Sequence, residues 1–359
     1  MQKFTNPNAE SIFKWVFRKS DTLKIVNFYF LSRRYFSNNR HFHILENSTR
    51  IRIVVLRSLN IPFFDRFVLR IYPVIFKIWH KKFLNYEFYF GNDFKLVEKL
   101  DINCTIDLDD IEYTKVESRV IGKWERAKKL QSRYSKIVVT TDHAKNYLIN
   151  KKFQSDIRVI PQCFANTFLP TNSVEVDDQK IKFCYISPLI SSTGDRKSGH
   201  KNWDVTHFIE KICPVIMENP TFELHLIGRV SKNTKRKLDS KNIYFYGTRN
   251  IAQAKLIMSG CHIGLYPRIH DNFRQSQKIA EYIGVGIPII SYRLVDTDLV
   301  SKYSLGWLAD SLEDFLNLLF TIDIKSFEYL EKRKNILKWQ HLFSADYVAK
   351  EIEQFITES

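Results

Sequence analysis

The chain has 359 residues, of which 44% are apolar and 26% are charged. This length allows two domains of ordinary size, and the composition is that of a folded globular protein rather than a disordered one. The sequence has no run of about 18 apolar residues, which a membrane-spanning helix would need. The first 20 residues carry scattered charges and no apolar run, so we expect no secretory signal there.

The five cysteines lie far apart, and none belongs to a Cys-x-x-Cys pair. They are Cys104, Cys163, Cys184, Cys213 and Cys261. Scattered cysteines without disulfide or metal-ligand spacing are typical of buried thiols in a reducing compartment. The pattern therefore predicts a cytoplasmic protein.

Positive charge is concentrated in the first half of the chain. Residues 1–165 contain 30 Lys and Arg against 16 Asp and Glu, whereas residues 166–359 contain 25 against 23. The positive electrostatic field of such a charge excess attracts nucleic acid, anionic lipid or a phosphorylated substrate. Residues 62–84 can form a helix with a basic face. Such a helix would either pack its apolar face on the core and leave its basic face in water, or anchor the domain on an anionic membrane surface.

Nucleic acid is the alternative explanation of this charge. It predicts a zinc finger, a helix-turn-helix or a small module with interleaved aromatic and basic residues, and the sequence shows none of these. We therefore expect no nucleic-acid partner, and we predict a peripheral position at the inner, cytoplasmic face of a membrane.

Strand-like apolar runs alternate with helix-like patterns along the whole chain. The predicted strands are residues 23–30, 51–56, 86–90, 103–107, 136–141, 157–160, 181–187, 222–228, 243–247, 263–267 and 288–292. The predicted helices are residues 92–100, 112–133, 202–217, 252–259, 275–284 and 345–356, with further helix from residue 312. This alternation predicts the α/β class, with two Rossmann-like domains that face each other across a cleft.

The polar stretch 166–180 has no periodicity and is predicted to link the two domains. The first domain would then be residues 1–165 and the second residues 181–340. Residues 341–359 form a C-terminal helical segment that could pack back on the first domain. In parallel sheets, ligands bind beyond the carboxyl ends of the strands, so the loops that follow strands are where chemistry is expected.

The most specific feature of the sequence is residues 263–292. A predicted strand ends in Tyr266-Pro267, and a loop leads into a helix with Lys278, Glu281 and Tyr282. The helix ends at a Gly-Val-Gly sequence, and Ile-Pro opens the next strand. This segment resembles the nucleotide-binding segment of retaining GT-B glycosyltransferases of the glycosyl-transferase group-1 type (family-four-like). The resemblance covers about residues 105–345. It implies a UDP- or GDP-sugar as donor substrate, retention of anomeric configuration, no cofactor and no metal.

A helix N-terminus suits a diphosphate, because its backbone N–H groups are free and carry partial positive charge. Ser276 and Gln277 lie in the first turn of the predicted helix. The resemblance implies that Glu281 accepts hydrogen bonds from the two ribose hydroxyls, the alternative being a solvated glutamate. Lys278 is either a donor-binding residue or a surface lysine.

Two other segments resemble donor-binding parts of the family. Gly228 and Arg229 end a strand like the one that precedes the donor pocket. In the basic loop 188–202, Lys201 matches the lysine that holds the diphosphate and stabilises the leaving group, and Arg196 would replace an arginine absent from the strand end.

One position departs from the family pattern. Phe273 stands where many members have a glutamate that contacts the transferred sugar, eight residues before Glu281. The backbone amides of residues 273–276 would then carry more of the sugar recognition. The departure leaves open whether the donor differs or activity is lost.

Asp109 and Asp110 follow a predicted strand in the first half and are the candidate catalytic acids and bases besides Lys201. Either could orient the acceptor hydroxyl or accept its proton. The alternative is that they cap the N-terminus of the following helix.

These features predict a hexosyltransferase that moves a sugar from a nucleoside-diphosphate sugar to a hydroxyl of a glycan or lipid-linked glycan, as in lipopolysaccharide, capsule or exopolysaccharide assembly. The alternatives are a catalytically inactive binding subunit of the same fold and a sugar-nucleotide epimerase. An epimerase would need a set of cleft carboxylates and no acceptor surface. No cluster of His, Cys and carboxylate residues with metal-ligand spacing is apparent in the sequence, so no metal is expected.

Overall fold

The computed structural model describes residues 25–31, 51–57, 88–91, 103–108, 134–164, 180–192, 203–271 and 274–358. Several predicted features lie outside these residues. They are the basic helix 62–84, the helices 92–100 and 112–133, the linker up to residue 179, and the side chains of Asp109, Asp110, Arg196, Lys201 and Phe273. Within the described residues, no helix has both the length and the apolar character that a bilayer span requires.

The described strands of the first half form one parallel sheet in the order β2-β1-β3-β4-β5-β6. They are β1 (Ile25–Leu31), β2 (Ile51–Arg57), β3 (Phe88–Gly91), β4 (Asn103–Asp107), β5 (Tyr134–Val139) and β6 (Asp156–Val159). Helix α1 (Asp142–Asn150) connects β5 to β6. It begins at Thr141, whose Oγ1 accepts the N–H of Ala144 at 3.1 Å and so satisfies one of the free donors of the first turn.

The described strands of the second half form another parallel sheet, in the order β12-β11-β10-β7-β8-β9. They are β7 (Ile181–Ile190), β8 (Phe222–Val230), β9 (Ile243–Gly247), β10 (Ile263–Tyr266), β11 (Ile289–Tyr292) and β12 (Gly306–Ala309). Counted within this half, the order is 3-2-1-4-5-6, that of a doubly wound nucleotide-binding sheet. The chain changes direction across the sheet between β7 and β10, which makes this the switch point where ligands bind in such sheets.

Helices cover both faces of the second sheet. They are α2 (Trp203–His207, a π-helical turn Phe208–Ile212 and Cys213–Glu218), α3 (Lys232–Lys237), α4 (Ile251–Ser259), α5 (Gln277–Val285), α6 (Asp298–Lys302), α7 (Leu312–Thr321) and α8 (Phe327–Trp339). A further helix, α9 (Ala345–Thr357), follows α8 in the chain. Short 3₁₀ turns lie at Val295–Thr297 and Gln340–Phe343. Together with the sheets, this arrangement confirms the predicted α/β class.

Alternate residues of β7 face opposite layers of the core. Phe183 and Tyr185 pack with α2 and α7, whereas Cys184 and Ile186 pack with α4 and α5. A strand that is buried on both faces does not alternate apolar with polar residues. For this reason β7 appears in the sequence as a nearly continuous apolar run. The cysteines whose side chains are described are buried and form no disulfide, as the sequence indicated; they are Cys163, Cys184, Cys213 and Cys261.

Helix α9 packs on the first half, not the second. Val348, Ile352 and Phe355 share a buried cluster with Val138 and Ile160 of the first half. The side chain of Lys136 donates to the carbonyl of Phe355 at 2.7 Å, at the helix end where free carbonyls attract a cation. Arg158 also pairs with Glu358. The C-terminal segment is therefore structurally part of the first half.

The predicted strands match the observed ones to within about two residues at most ends, but four described elements are missing from the sequence-based prediction. Helices α1, α3 and α6 and strand β12 were not predicted. Helix α3 is almost entirely polar and has no apolar period, and it begins because Ser231 accepts the N–H of Thr234 at 3.1 Å. Strand β12 has only four residues and follows a helix closely, so its period is too short to detect.

Gly228 lies where β7 and β8 approach each other most closely. Its φ is +133°, and a Cβ placed there would lie 1.7 Å from the carbonyl oxygen of Ser187. The register of β7 against β8 shifts between Ile186 and Leu189, which brings the Ser187 backbone against the glycine. Both the backbone conformation and the lack of space therefore require glycine at the carboxyl end of β8.

We expect Gly228→Ala to lower the free energy of unfolding by about 3 kcal/mol or more, because the side chain would force β7 away from β8. Gly260→Ala is the matched control: its φ is −83° and its Cβ would lie 3.5 Å from the nearest atom. That change should alter stability by less than about 1 kcal/mol. Urea denaturation of both variants measures the difference, and equal stabilities would contradict the close approach.

Candidate functional site

Helix α5 starts at the switch point of the second sheet. Ser276 is its N-cap, and the Ser276 hydroxyl accepts the N–H of Lys278 at 3.3 Å. The helix ends at Gly286, which has a left-handed φ of 80° and donates its N–H to the carbonyl of Ile283. All residues from Ile279 to Val285 are buried. The helix is therefore an interior element that exposes only its first turn.

Tyr282 attaches α5 to both strands of the switch point. Its hydroxyl contacts the carbonyl oxygens of Leu265 in β10 at 3.0 Å and Cys184 in β7 at 3.4 Å, and it accepts the N–H of Ile186 at 3.4 Å. The ring fills the space beside Gly264, where a Cβ would lie 2.5 Å from the ring. The helix is therefore held in one position relative to the strand ends.

Lys278 lies over the ends of the same two strands. Its ammonium nitrogen is 5.0 Å from the ring centre of Tyr185 and 6.0 Å from that of Tyr266. These distances place the cation within reach of the negative ring faces, which attract it. Lys278 is half-buried at the switch point rather than extended into solvent, so its charge faces any ligand bound there.

Glu281 lies one turn after Lys278 on the same side of the helix and is only 3% exposed. Burial raises the pKa of its carboxyl group to about 7, although the charge of Lys278 partly lowers it. A carboxylate in this position loses its hydration, so the ionised form gains from any ligand that donates hydrogen bonds to it.

The residues just before α5 contact the first half. Gln275 donates its backbone N–H to Thr140 Oγ1, and its Oε1 accepts the N–H of Gln162, both at 3.0 Å. The side chain of Gln277 donates to the carbonyl of Cys163 at 2.6 Å. Because these partners follow β5 and β6, the N-terminus of α5 lies at the junction of the two halves.

The loop after β10 is fixed by Asp204, in the first turn of α2. One carboxylate oxygen accepts the N–H of Ile269 at 2.9 Å and lies 3.2 Å from Nδ1 of His270. The other lies 3.7 Å from Nε of Arg268. The segments that follow β7 and β10 are therefore tied to each other on the two sides of the switch point.

A second buried carboxyl group, that of Asp296, lies behind this loop. Tyr266 donates its hydroxyl hydrogen to Asp296 Oδ2 at 2.7 Å. Asp296 is 1% exposed, and burial raises its pKa to about 7, while the positive charge of Arg268 acts in the opposite direction. Two carboxyl groups with pKa values near neutrality therefore lie close to α5, one within it and one in the turn after β11.

The structure brings Ser276, Gln277, Lys278 and Glu281 together, as expected for residues of one helix. Gly228 lies at the neighbouring strand end but serves the backbone contact with Ser187, and Arg229 is exposed. The predicted catalytic residues Asp109, Asp110 and Lys201, and also Arg196, lie outside the described residues.

One of the backbone amides expected to recognise the sugar already has a partner. Of the amides of residues 273–276, that of Gln275 is taken by Thr140 and cannot bind a sugar in this arrangement. The amide of Lys278, in the first turn, is taken by the Ser276 side chain. Among the described residues, no group of three or more His, Cys, Asp or Glu side chains is placed to hold a metal ion.

Four side chains that hold the segments around α5 in place were not singled out from the sequence. They are Asp204, Arg268, Gln275 and Asp296. Tyr282 was named as part of the motif, but its contacts with the two strands were not predicted. Only Tyr282 had a local signal, because it follows Glu281 in the motif. The others act through partners distant in the sequence, which no local pattern reveals.

No family model and no curated protein sequence matches the chain. Solved structures do. The Anabaena protein HepE in complex with UDP has 14% identity, a TM-score of 0.68 and coverage of 92% of this chain and 99% of that chain. Sucrose-phosphate synthase from Thermosynechococcus elongatus has 13% identity, a TM-score of 0.61 and coverage of 86% and 83%.

A third similar structure is WaaG, described as a glycosyltransferase involved in lipopolysaccharide biosynthesis. It has 10% identity, a TM-score of 0.62 and coverage of 93% of this chain and 100% of that chain. The protein thus has two Rossmann-like halves in the GT-B arrangement, as the sequence predicted. This is the fold of the GT-B glycosyltransferases to which the chain is similar.

The pH dependence of stability tests the burial of Glu281. Between about pH 4.5 and pH 7 the folded protein keeps the Glu281 proton and the unfolded chain does not, so this group's contribution to stability falls as pH rises. In Glu281→Gln this loss is absent. The free energy of unfolding of the variant, relative to the native protein, should therefore rise by about 3 kcal/mol from about pH 4 to about pH 8.

Denaturant titrations at several pH values measure this difference. Glu313→Gln, the same substitution at an exposed position of α7, is measured alongside as the control. A flat difference for Glu281→Gln would mean that the Glu281 carboxylate is hydrated and ionised in the folded protein, contrary to the structure.

Proposed function

We propose that the protein transfers a sugar from a nucleoside-diphosphate sugar to a hydroxyl group of an acceptor glycan. The observation that carries the proposal is the buried carboxyl group of Glu281 beside Lys278, in a helix that starts at the switch point and at the junction of the two halves. A desolvated carboxylate with a neighbouring cation suits a ligand that brings both a diol and a diphosphate.

The donor would bind with its ribose at Glu281 and its diphosphate near the first turn of α5. Two ribose hydroxyls would donate to the carboxylate and replace its lost hydration, which favours the ionised form. Lys278 would supply positive charge to the diphosphate, together with the partial charge of the helix end. The structures of HepE with UDP and with UDP-glucose support a nucleotide sugar as the ligand class.

In the transfer step, the acceptor oxygen forms a bond to the anomeric carbon while the bond from that carbon to the diphosphate oxygen breaks. The departing diphosphate takes the electron pair and is stabilised by Lys278 and by the predicted cations Lys201 and Arg196. The hydroxyl proton passes to Asp109, Asp110 or the leaving diphosphate. We further propose that the anomeric configuration is retained and that the protein needs no metal.

The acceptor is proposed to be a glycan or a lipid-linked glycan. Two observations support this: the positive charge concentrated in residues 1–165, which would draw the first half to an anionic membrane surface, and the similarity in fold to WaaG. On this proposal the protein works as a peripheral protein at the cytoplasmic face of the membrane, in lipopolysaccharide or related polysaccharide assembly.

A second candidate is an inactive binding subunit with the same fold. Phe273 favours it, because it replaces the glutamate that contacts the transferred sugar in many members of the family. Such a subunit would still bind the nucleotide through Glu281 but would not turn the donor over. Binding and turnover must therefore be measured separately.

We expect Glu281→Ala to bind UDP or GDP and the matching nucleotide sugar at least about tenfold more weakly, since a hydrogen bond to a charged group contributes about 1.5–3 kcal/mol. Isothermal titration calorimetry measures the loss. The exposed Glu313→Ala serves as control and should bind like the native protein. Unchanged affinity in Glu281→Ala would contradict the proposed site.

A donor-hydrolysis screen with several UDP- and GDP-sugars then decides between the two candidates. We expect the native protein to release the nucleotide from one donor and Glu281→Ala to lose this signal. Binding without release from any donor, with or without an acceptor, would indicate the inactive subunit.

A further inference from the structure

A cavity of about 340 Å³ lies between the two halves. The first half contributes residues at and after the ends of β5 and β6, together with Tyr347 and Glu351 of α9. The second half contributes Gln275, the turn after β11, α6 and the 3₁₀ turn that precedes α9. Neither Lys278 nor Glu281 lines it. The cavity therefore differs from the proposed donor site, although Gln275 in its wall directly precedes α5.

Two of the residues that line the cavity each carry a buried side-chain atom that makes no hydrogen bond within the described part of the protein. These atoms are Nε2 of Gln275 and Oδ1 of Asp296. The other polar atoms of both side chains have partners: Gln275 Oε1 accepts from Gln162, and Asp296 Oδ2 accepts from Tyr266. Each buried polar atom without a partner costs about 1–3 kcal/mol, so a ligand that satisfied both would be stabilised by the protein.

The two atoms are complementary to hydroxyl groups. The amide of Gln275 offers a donor and the carboxyl of Asp296 offers an acceptor, and a polyhydroxylated molecule can satisfy both at once. The rings of Tyr303 and Tyr347 also line the cavity and offer apolar surface. Its volume lies at the lower end of the range of small-molecule sites, about 300–1,000 Å³.

The charges around the cavity select against an anionic ligand. Asp142, Asp298 and Glu351 line it, and Lys302 is the single lysine or arginine among the described lining residues. Lys302 lies 3.4 Å from Asp142, so its charge is already partly balanced. The remaining negative charge would repel a phosphate group.

We propose that this cavity binds a neutral, polyhydroxylated ligand, an unphosphorylated sugar unit, at a site separate from that of the donor. Gln275 and Asp296 hold its hydroxyl groups, and both halves of the protein contact it. Binding here stabilises the junction at which α5 starts. The site does not depend on the proposed transfer reaction, because none of its residues belongs to the donor site.

Ligand-observed NMR and calorimetry with glucose, galactose, mannose and N-acetylglucosamine test the proposal. At least one of these sugars should bind saturably, its 6-phosphate should bind at least tenfold more weakly, and binding should persist at a saturating concentration of UDP. If none of the neutral sugars binds saturably, the cavity holds only water and the proposal is wrong.

Two variants locate the bound sugar. Asp296→Asn keeps an oxygen for Tyr266 but replaces the acceptor Oδ1 with an NH₂ group, which only donates. Leu299→Trp fills the cavity from a half-buried position without changing these polar groups. Both should weaken sugar binding at least tenfold while nucleotide binding stays within twofold. Asp239→Asn, on an exposed turn outside the cavity, should change neither.

The donor-site variant separates this proposal from the proposed function. Glu281→Ala should keep the sugar affinity of the native protein even as nucleotide binding falls. If Glu281→Ala loses the sugar, or UDP competes with it, the sugar binds in the donor site and the cavity proposal is overturned. If the native protein binds a sugar but no nucleotide, the cavity proposal is supported and only the proposed donor site is contradicted.

Discussion

The hydroxyl group of Tyr282 joins a buried helix to the two strands between which the second sheet changes direction. It contacts the carbonyl groups of Leu265 and Cys184, and the ring occupies space that exists only because residue 264 is glycine. Burial raises the pKa of the hydroxyl, so it stays neutral and keeps its proton for these contacts. The placement of Lys278 and Glu281 depends on this attachment, since both are carried by the same nine-residue helix.

The protein buries Glu281 and Asp296 against the usual tendency of carboxyl groups to stay hydrated. A hydrophobic residue at either position would avoid this cost. The two groups differ in what surrounds them: Glu281 has a lysine one turn earlier, whereas Asp296 has a tyrosine hydroxyl and a nearby arginine. Polar groups kept at such a cost beside a domain junction are characteristic of binding sites rather than of core packing.

The sequence predicted the fold class and most strands, because buried parallel strands appear as short apolar runs between helical patterns. It also placed α5, whose caps Ser276 and Gly286 are local signals. It could not predict the contact of Gln275 with Thr140, because the two residues are 135 positions apart and the bond depends on how the halves meet. For the same reason Asp296 and the cavity beside it had no sequence signal.

Phe164 lies near the end of the described part of the first half. Its backbone pairs with residues 343–345, where the chain comes back from the second half to begin α9. Its N–H donates to the carbonyl of Phe343, and its carbonyl accepts the N–H of Ala345. The halves are thus interleaved along the chain, so a fragment ending at residue 164 would leave the apolar side chains of Val138 and Ile160 without the helix that covers them. The bridge between Phe164 and Ser344 therefore makes the end of the chain a necessary part of the first half's core, although it follows the whole second half in sequence.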